Sequence, residues 1–302
     1  MSEPALLTLT ASGLYCPRGD FHIDPWAPTP RAVITHAHAD HARPGSQQYL
    51  CARPGEAVLR RRLGDIALQT LDYGESLQIG DVRVSLHPAG HILGSAQVRL
   101  ETGGQVAVVS GDYKTTFDAT CVPFEPIRCH TFVTESTFGL PIYRWPDETT
   151  IFNGIRDWWH ANQQEGRASL LFAYALGKAQ RLLAGLDAEQ GPIYCHGAVE
   201  AVNEVYRQSG VRLAETQRVG DEKRSAFADA LIVAPPSAQR SPWVRRFGDY
   251  SSAFVSGWMR VRGARRRRAV DRGFVLSDHA DWPGLLDAIR QTGANTVLVT
   301  HG

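Results

Sequence analysis

The chain has 302 residues, 43% of them hydrophobic and 21% charged, with a formal net charge of +1 at pH 7. That composition excludes a disordered or collagen-like chain and supports a sizeable core in one large or two medium domains, while a net charge near zero says little about partners. Five scattered cysteines without a C-x-x-C pair speak against a disulfide scaffold and against a cysteine-cluster zinc site, and predict reduced thiols.

In chain order, the first part reads as short strands bounded by Gly, Pro or Asp, at 6–10, 31–35, 82–87, 96–100 and 106–110. A short surface helix is expected at 54–63, and Glu101-Thr102-Gly103-Gly104-Gln105 is a hairpin signal. Past residue 140 the pattern changes to alternating helices and strands. A helix over 147–164 carries Ile151, Ile155, Trp158 and Trp159 at helical spacing, which predicts core packing for both tryptophans. A buried strand at 168–173, a helix at 177–186, a strand at 193–195, a helix at 198–208 and a strand at 230–234 follow, implying parallel βαβ units. Near the end Asp281 caps a helix with Pro283 in its first turn, Gly293 ends it, and 296–300 is a final strand. The predicted organisation is a first domain over 1–140, a second α/β domain over 141–270, and a return to the first style over 271–302. The first ten residues lack a secretory pattern and the apolar run at 168–177 is too short to span a bilayer, so a soluble, cytoplasmic protein with no membrane role is expected.

The densest chemical signal is Thr35-His36-Ala37-His38-Ala39-Asp40-His41, in which four metal-competent side chains fall within six positions after an apolar stretch. Imidazole and carboxylate suit zinc and similar metals. In an extended segment His36, His38 and Asp40 share a face, and His41 needs a turn to join them, so one loop could feed two neighbouring metals. Five further elements sit at predicted strand ends or just beyond: Asp24, His91 in Gly90-His91-Ile92-Leu93-Gly94, Asp112 in Ser110-Gly111-Asp112, Glu135, and the late pair His279 and His301. Singly each is an ordinary turn or hydrogen-bonding residue; their order and local contexts make the case.

In that order Asp24, the H-x-H-x-D-H run, His91 and Asp112 resemble the successive motifs of the metallo-β-lactamase superfamily. Glu135, His279 and His301 resemble the three extra motifs of its β-CASP nucleic-acid-processing branch. Leu14-Tyr15-Cys16-Pro17, Leu71-Asp72-Tyr73-Gly74-Glu75 and the run from Phe172 to Gln180 are most similar to bacterial ligase-associated DNA exonucleases, also described as mRNA 3′-end-processing-factor-like. The resemblance implies an α/β fold, an αββα sandwich with a smaller α/β β-CASP domain inserted before its last elements. It also implies two divalent metals in a cleft between the domains, zinc by ligand type with manganese as the alternative. One metal would take His36, His38 and His91, the other Asp40, His41 and His301. Asp112 would bridge them and Asp24 would orient a ligand histidine. Asp40, Glu135 and His279 are the candidate catalytic residues: a hydroxide activated by two metals would attack phosphorus, and His279, oriented by Glu135, would assist the leaving oxygen.

The implied activity is that of a nuclease, a DNA exonuclease in repair beside a ligase and a helicase. An RNA-processing endo- or exonuclease is the alternative, because the same residues serve both sugars. The H-x-H-x-D-H run alone would also allow a small-molecule thioester or lactam hydrolase, and the Glu135/His279 pair and an arginine cluster argue against it. That cluster is Arg260, Arg262, Arg265, Arg266, Arg267 and Arg268, expected to bind phosphates, with Lys114 as a further phosphate contact. Trp243 with Arg245 and Arg246, and Trp258, are candidate base contacts. The family usually continues past the position of His301, so a truncated sequence or a natural short form is expected, with the second metal loosely held if truncated.

Overall fold

In the computed structural model, which describes residues 5–186 and 188–300, the chain divides into two units. One runs to Ile142 and resumes at His279; the other is Tyr143–Asp278. The first unit opens with β1 (Thr8–Thr10), β2 (Gly13–Cys16), β3 (Phe21–Ile23), β4 (Arg31–Val33) and β5 (Gln48–Ala52). Helix α1 (Glu56–Leu63) and β6 (Leu68–Leu71) follow, and the six strands form one sheet in sequential order. A second sheet begins with β7 (Ser76–Ile79), β8 (Val82–Pro88), β9 (Ala96–Thr102), β10 (Gln105–Val109) and β11 (Thr131–Glu135). β7 to β10 pair antiparallel through hairpins, and β11 joins β10 in parallel.

The second unit starts with α2 (Glu148–Gln164), whose N-cap Asp147 accepts from the Thr150 N–H at 3.2 Å. It continues through β12 (Ala168–Phe172), α3 (Lys178–Gly185), β13 (Ile193–Cys195), α4 (Gly197–Gln208) and β14 (Gln217–Arg218). β15 (Leu231–Ala234), β16 (Tyr250–Val255), α5 (Arg262–Arg268) and β17 (Arg272–Phe274) complete it. Its sheet, in the order β14-β13-β15-β12-β16-β17, is parallel throughout. Its inner strands β12, β13 and β15 are buried throughout, which is why they read as continuous apolar runs, whereas the edge strand β14 is exposed. Leu171, Val233 and Val255 pack with Trp158 and Trp159 on one face; Leu170, Phe172, Ile232 and Phe254 pack with Phe227 and Phe247 on the other.

Returning to the first unit, α6 (Trp282–Thr292) is capped by Asp281 Oδ1, which accepts from the Gly284 N–H at 3.0 Å, and ends at Gly293 in the left-handed region. β18 (Thr296–Thr300) then pairs in parallel with β11, completing the order β18-β11-β10-β9-β8-β7. Ile23, Val33 and Leu50 of the first sheet meet Val84, Val98, Val109 and Val133 of the second. Val108 and Phe132, one position out of phase, face the other way and pack with Leu285 and Ala288 of α6. Each sheet thus has a buried inner face, and the strand ends are free to carry chemistry.

The second unit closes eight residues later than the 270 expected from the pattern of the chain. β17 pairs with β16, and Phe274 and Leu276 enter the core of this unit, so the short segment after the arginines belongs to it. Among the described residues no helix is long and apolar enough to cross a membrane. The five cysteines form no disulfide, and burial pushes the Cys51 thiol up to about 12, leaving it inert.

Candidate metal centre

The first unit's strand ends build the site. β4 stops at Val33, although Ile34 N–H still bonds the Leu50 carbonyl at 2.8 Å. The chain then leaves the sheet and turns, with Ala42 N–H donating to the His38 carbonyl at 2.8 Å. His36 and His41 are buried and His38 is half-buried. His91 follows β8 in a loop stitched by Ser95 Oγ, which accepts from the His91 and Ile92 N–H groups at 3.0 and 3.2 Å. Asp112 follows β10, Glu135 is the last residue of β11, and His279 precedes α6.

His38 Nδ1 lies 3.1 Å from His36 Nε2 and 3.1 Å from His91 Nε2. Asp112 Oδ2 is 3.4 Å from His36 Nε2 and 3.6 Å from His91 Nε2. One ligand atom from each of these four residues lies within 4.8 Å of every other. Ligands bound tetrahedrally at about 2.0–2.1 Å are separated by about 3.3–3.4 Å, so these four donors fit a single zinc-sized ion. Three imidazole nitrogens and a carboxylate also have the donor chemistry for it. The other oxygen of Asp112, Oδ1, is 3.4 Å from His41 Nε2, which is 3.9 Å from Asp40 Oδ2. Asp112 therefore faces both histidine sets.

Asp24 and Thr35 set the imidazole orientations. His41 Nδ1–H donates to Asp24 Oδ2 at 2.7 Å, leaving Nε2 for the centre. Asp24 also accepts from Thr35 N–H at 2.8 Å and Thr35 Oγ1–H at 2.5 Å, so the same hydroxyl can accept from His36 Nδ1–H at 3.1 Å. A hydrogen-bonded outer nitrogen fixes the tautomer and strengthens the inner one as a ligand. Asp24 holds a positive φ of 45°, a conformation that aspartate tolerates better than most residues. Thr35, unlike Asp24, is absent from the motif reading; its only signal is a hydroxyl immediately before the first histidine.

The charges are balanced by proximity. Burial and the neighbouring His41 hold the His36 imidazole well below the usual histidine range, in the neutral, ligand-ready form. Burial opposes a charge on His41, but the carboxylates of Asp112 and Asp24 outweigh it and raise its pKa well above the ordinary value. Burial likewise opposes ionised Asp112, and His41, His279 and His36 together pull its carboxyl well below the usual range.

A second group stands alongside. Asp112, Glu135 and His279 also present ligand atoms within 4.8 Å of one another. His279 Nδ1–H points at both Glu135 oxygens, at 3.0 and 2.9 Å, and Glu135 Oε1 accepts the Tyr113 N–H at 2.7 Å. The His279 ring lies 4.6 Å from that of His91, centroid to centroid, and edge-on to Phe138 at 5.8 Å.

Three expectations need correction. Strict alternation would aim Asp40 inward with His36 and His38, but the segment is a loop rather than a strand, and the Asp40 side chain is 68% exposed at the rim. Lys114 is no phosphate contact: it is 1% exposed, and its Nζ donates to the Thr116 and Phe117 carbonyls at 2.8 and 2.6 Å, tying down the loop after Asp112. Arg268 is half-buried with its guanidinium 4.4 Å over the Phe254 ring, so it packs on the second unit's core. Arg260, Arg262, Arg266 and Arg267 are exposed, whereas the side chain of Arg265, and His301 altogether, lie outside the described residues. Trp158 and Trp159 are buried, as their spacing implies.

Gly111 makes the turn into Asp112 at φ 57°, and a Cβ there would stand 2.6 Å from Thr35 Cβ and Oγ1. Gly111→Ala is expected to cost about 1–3 kcal/mol of stability, read as a fall in denaturation midpoint, because it collides with the residue that orients His36.

Histidines and a shared carboxylate gathered at the strand ends of a two-sheet α/β scaffold define a candidate metal centre. No protein-family model matches the chain. A "Probable DNA ligase" of Opitutus terrae is 32% identical over 293 residues, 96% of this chain and 28% of that protein. The "Endoribonuclease ysh1" of Aspergillus fumigatus is 28% identical over 193 residues, 60% of this chain and 22% of its own length. The "Transcription termination factor FttA" of Methanothermobacter thermautotrophicus is 32% identical over 221 residues, 58% of this chain and 34% of its own length. The chain thus spans about a third or less of the curated relatives it matches. A solved protein of unknown function from Enterococcus faecalis V583 shares the fold, with a TM-score of 0.57 at 12% identity, over 90% of this chain and 75% of that one. The chain belongs to the β-CASP branch of the metallo-β-lactamase superfamily.

Proposed function

We propose that this chain is a metal-dependent nuclease, a DNA exonuclease that acts in DNA repair beside a ligase and a helicase in the cytoplasm. The observation that carries the hydrolytic reading is the meeting of His36, His38, His91 and Asp112 around one point with the Glu135-held His279 beside it. The DNA reading draws support from the match of nearly the whole chain to part of a probable DNA ligase. In this reading the first unit is the metallo-β-lactamase αββα sandwich and Tyr143–Asp278 is the β-CASP insertion.

The residues fit two divalent ions, zinc by donor type with manganese as the alternative. His36, His38, His91 and Asp112 would hold one. His41, Asp40 and Asp112 would hold the other, with His301 as a further ligand from outside the described residues. Bound there, the pair would supply Lewis acidity and a nucleophile at neutral pH. Asp112, with one oxygen toward His36 and His91 and the other toward His41, would serve both ions, and Asp24 and Thr35 keep His41 and His36 in the productive tautomers. His279 Nε2 carries a proton to the leaving sugar oxygen, while Glu135 fixes the ring through Nδ1–H. The exposed Arg260, Arg262, Arg266 and Arg267 bind backbone phosphates.

Removing an outer partner of a ligand histidine typically costs 10–100-fold in metal affinity. Asp24→Ala should show about that loss in chelator competition. Arg266→Ala combined with Arg267→Ala should weaken binding similarly on all sequences. It should also flatten the plot of log affinity against log salt by roughly 0.7–0.9 for each phosphate contact removed.

RNA is the second reading, favoured by the similarity to the ysh1 endoribonuclease. End-labelled DNA and RNA of matched sequence, digested by the purified chain with and without restored zinc or manganese, separate the two. Metal-dependent stepwise shortening of the DNA is the expected result. Stepwise or internal cleavage confined to RNA would move the assignment to RNA, and no cleavage of either strand with metal restored would overturn the nuclease reading.

A further inference from the structure

We propose that the carboxyl edge of the second unit's sheet is a stacking platform for an unpaired nucleic-acid strand, with Trp258 and Tyr174 holding bases and the neighbouring arginines holding phosphates. This rests on the nucleic-acid reading above and adds which form of strand is taken and which residues choose it.

All six strands of this sheet are parallel, so their carboxyl ends share one edge, the edge at which open α/β sheets bind ligands. β12 and β16 are neighbours, with Phe172 opposite Phe254. Tyr174 lies two positions past Phe172, and Trp258 four past Phe254, so both leave the sheet at that edge from strands about 4.8 Å apart. Both are large aromatics left open to solvent, Tyr174 at 49% and Trp258 at 41%. Every other aromatic at the ends of these two strands, including Phe172, Phe254 and Tyr250, is buried or half-buried.

Trp258 is held rather than loose. Ser256 Oγ caps its 3₁₀ turn, accepting from the Trp258 N–H at 3.3 Å. The buried Tyr143 ring packs edge-on against it, centroids 5.7 Å apart and planes at 86°. A π-surface fixed in place before binding loses little entropy when a base stacks on it. The same turn runs straight into the arginines: Arg260 closes it, Arg262 begins α5, and Arg266 and Arg267 are exposed on that helix, with no acidic residue between 260 and 270. Flat aromatic faces set among guanidinium groups match alternating bases and phosphates, and they match them in a strand whose bases are unpaired. In a duplex the base faces are occupied by their neighbours and only the phosphates remain to be bound.

Fluorescence anisotropy of the whole chain in EDTA, where cleavage is silent, tests this with three probes: an oligothymidylate of about 15 nucleotides, an abasic strand of equal length, and a blunt hairpin duplex. Trp258→Ala and Tyr174→Ala are each expected to weaken oligothymidylate binding roughly 5- to 150-fold, the range one lost base stack covers. Neither should change affinity for the abasic strand, and Trp258→Phe should keep most of the wild-type affinity. Unchanged oligothymidylate binding in Trp258→Ala and Tyr174→Ala would overturn the platform while leaving the nuclease reading intact. So would equal losses on the abasic strand, or wild-type preference for the duplex. Failure of the wild type to bind any of the three probes would overturn both.

Discussion

Asp112→Ala is expected to lose metal and turnover together, and to do so more completely than any other single substitution in the centre. Asp112 Oδ2 stands against His36 and His91 while Oδ1 stands against His41, so one side chain serves both halves of the site. It is also buried, which means that nothing from solvent replaces it. Losing a ligand that touches both sets should exceed the about 10–100-fold cost of losing a supporting partner such as Asp24. The substitution also removes the buried carboxylate beside His41 Nε2, and breaking a buried pair of this kind costs about 3–5 kcal/mol in the metal-free protein. Asp112→Asn keeps the shape and one acceptor oxygen but not the negative charge, so it should lie between wild type and alanine in metal affinity. Metal content by mass spectrometry under native conditions, with denaturation midpoints beside it, reads both effects. Full metal occupancy in Asp112→Ala would remove the residue from the ligand set.

His279→Ala should do the opposite: keep the metal and lose the chemistry. Its Nδ1 is committed to Glu135, its ring lies tilted beside that of His91, and it is not among the four donors His36, His38, His91 and Asp112. A placed acid is worth about 10²–10⁴ in rate, and that loss should fall on kcat with little change in KM. Glu135→Gln is a less clean test, because Glu135 is buried and also accepts the Tyr113 N–H. A lost metal equivalent in His279→Ala would reassign the residue from proton transfer to ligation.

Local rules carried the sequence reading far where they act alone. The cap at Asp281 and the stop at Gly293 follow from a side-chain oxygen that satisfies a helix N–H group and from a left-handed terminal glycine. Three strands of the second unit's parallel sheet, β12, β13 and β15, were legible because burial on both faces leaves unbroken apolar runs, whereas β14, β16 and β17 were not read: Ser251 and Ser252 interrupt β16, and β14 is exposed. β2, β3, β5, β6 and β7 were not read either, since three to five residues are too few to display a period. At the site, residue types and order were legible, whereas direction was not. Asp40 stands at the exposed rim beside His41 because the loop abandons strand geometry after Val33, and Lys114 turns inward because two backbone carbonyls receive its ammonium. Neither direction is visible in the spacing of the motif: the partners of Lys114 are carbonyls two and three positions further on, and Asp40 follows a loop where alternation suggests a strand. The Glu135–His279 pair joins residues 144 positions apart, and only the family resemblance suggested it.

Zinc-edge anomalous diffraction from crystals of the chain grown with zinc locates the ion itself. A peak bonded to His36 Nε2, His38 Nδ1, His91 Nε2 and an oxygen of Asp112 is expected. An ordered zinc bound elsewhere with this cluster left bare, or no zinc peak among these four side chains at any occupancy, would contradict this ligand set.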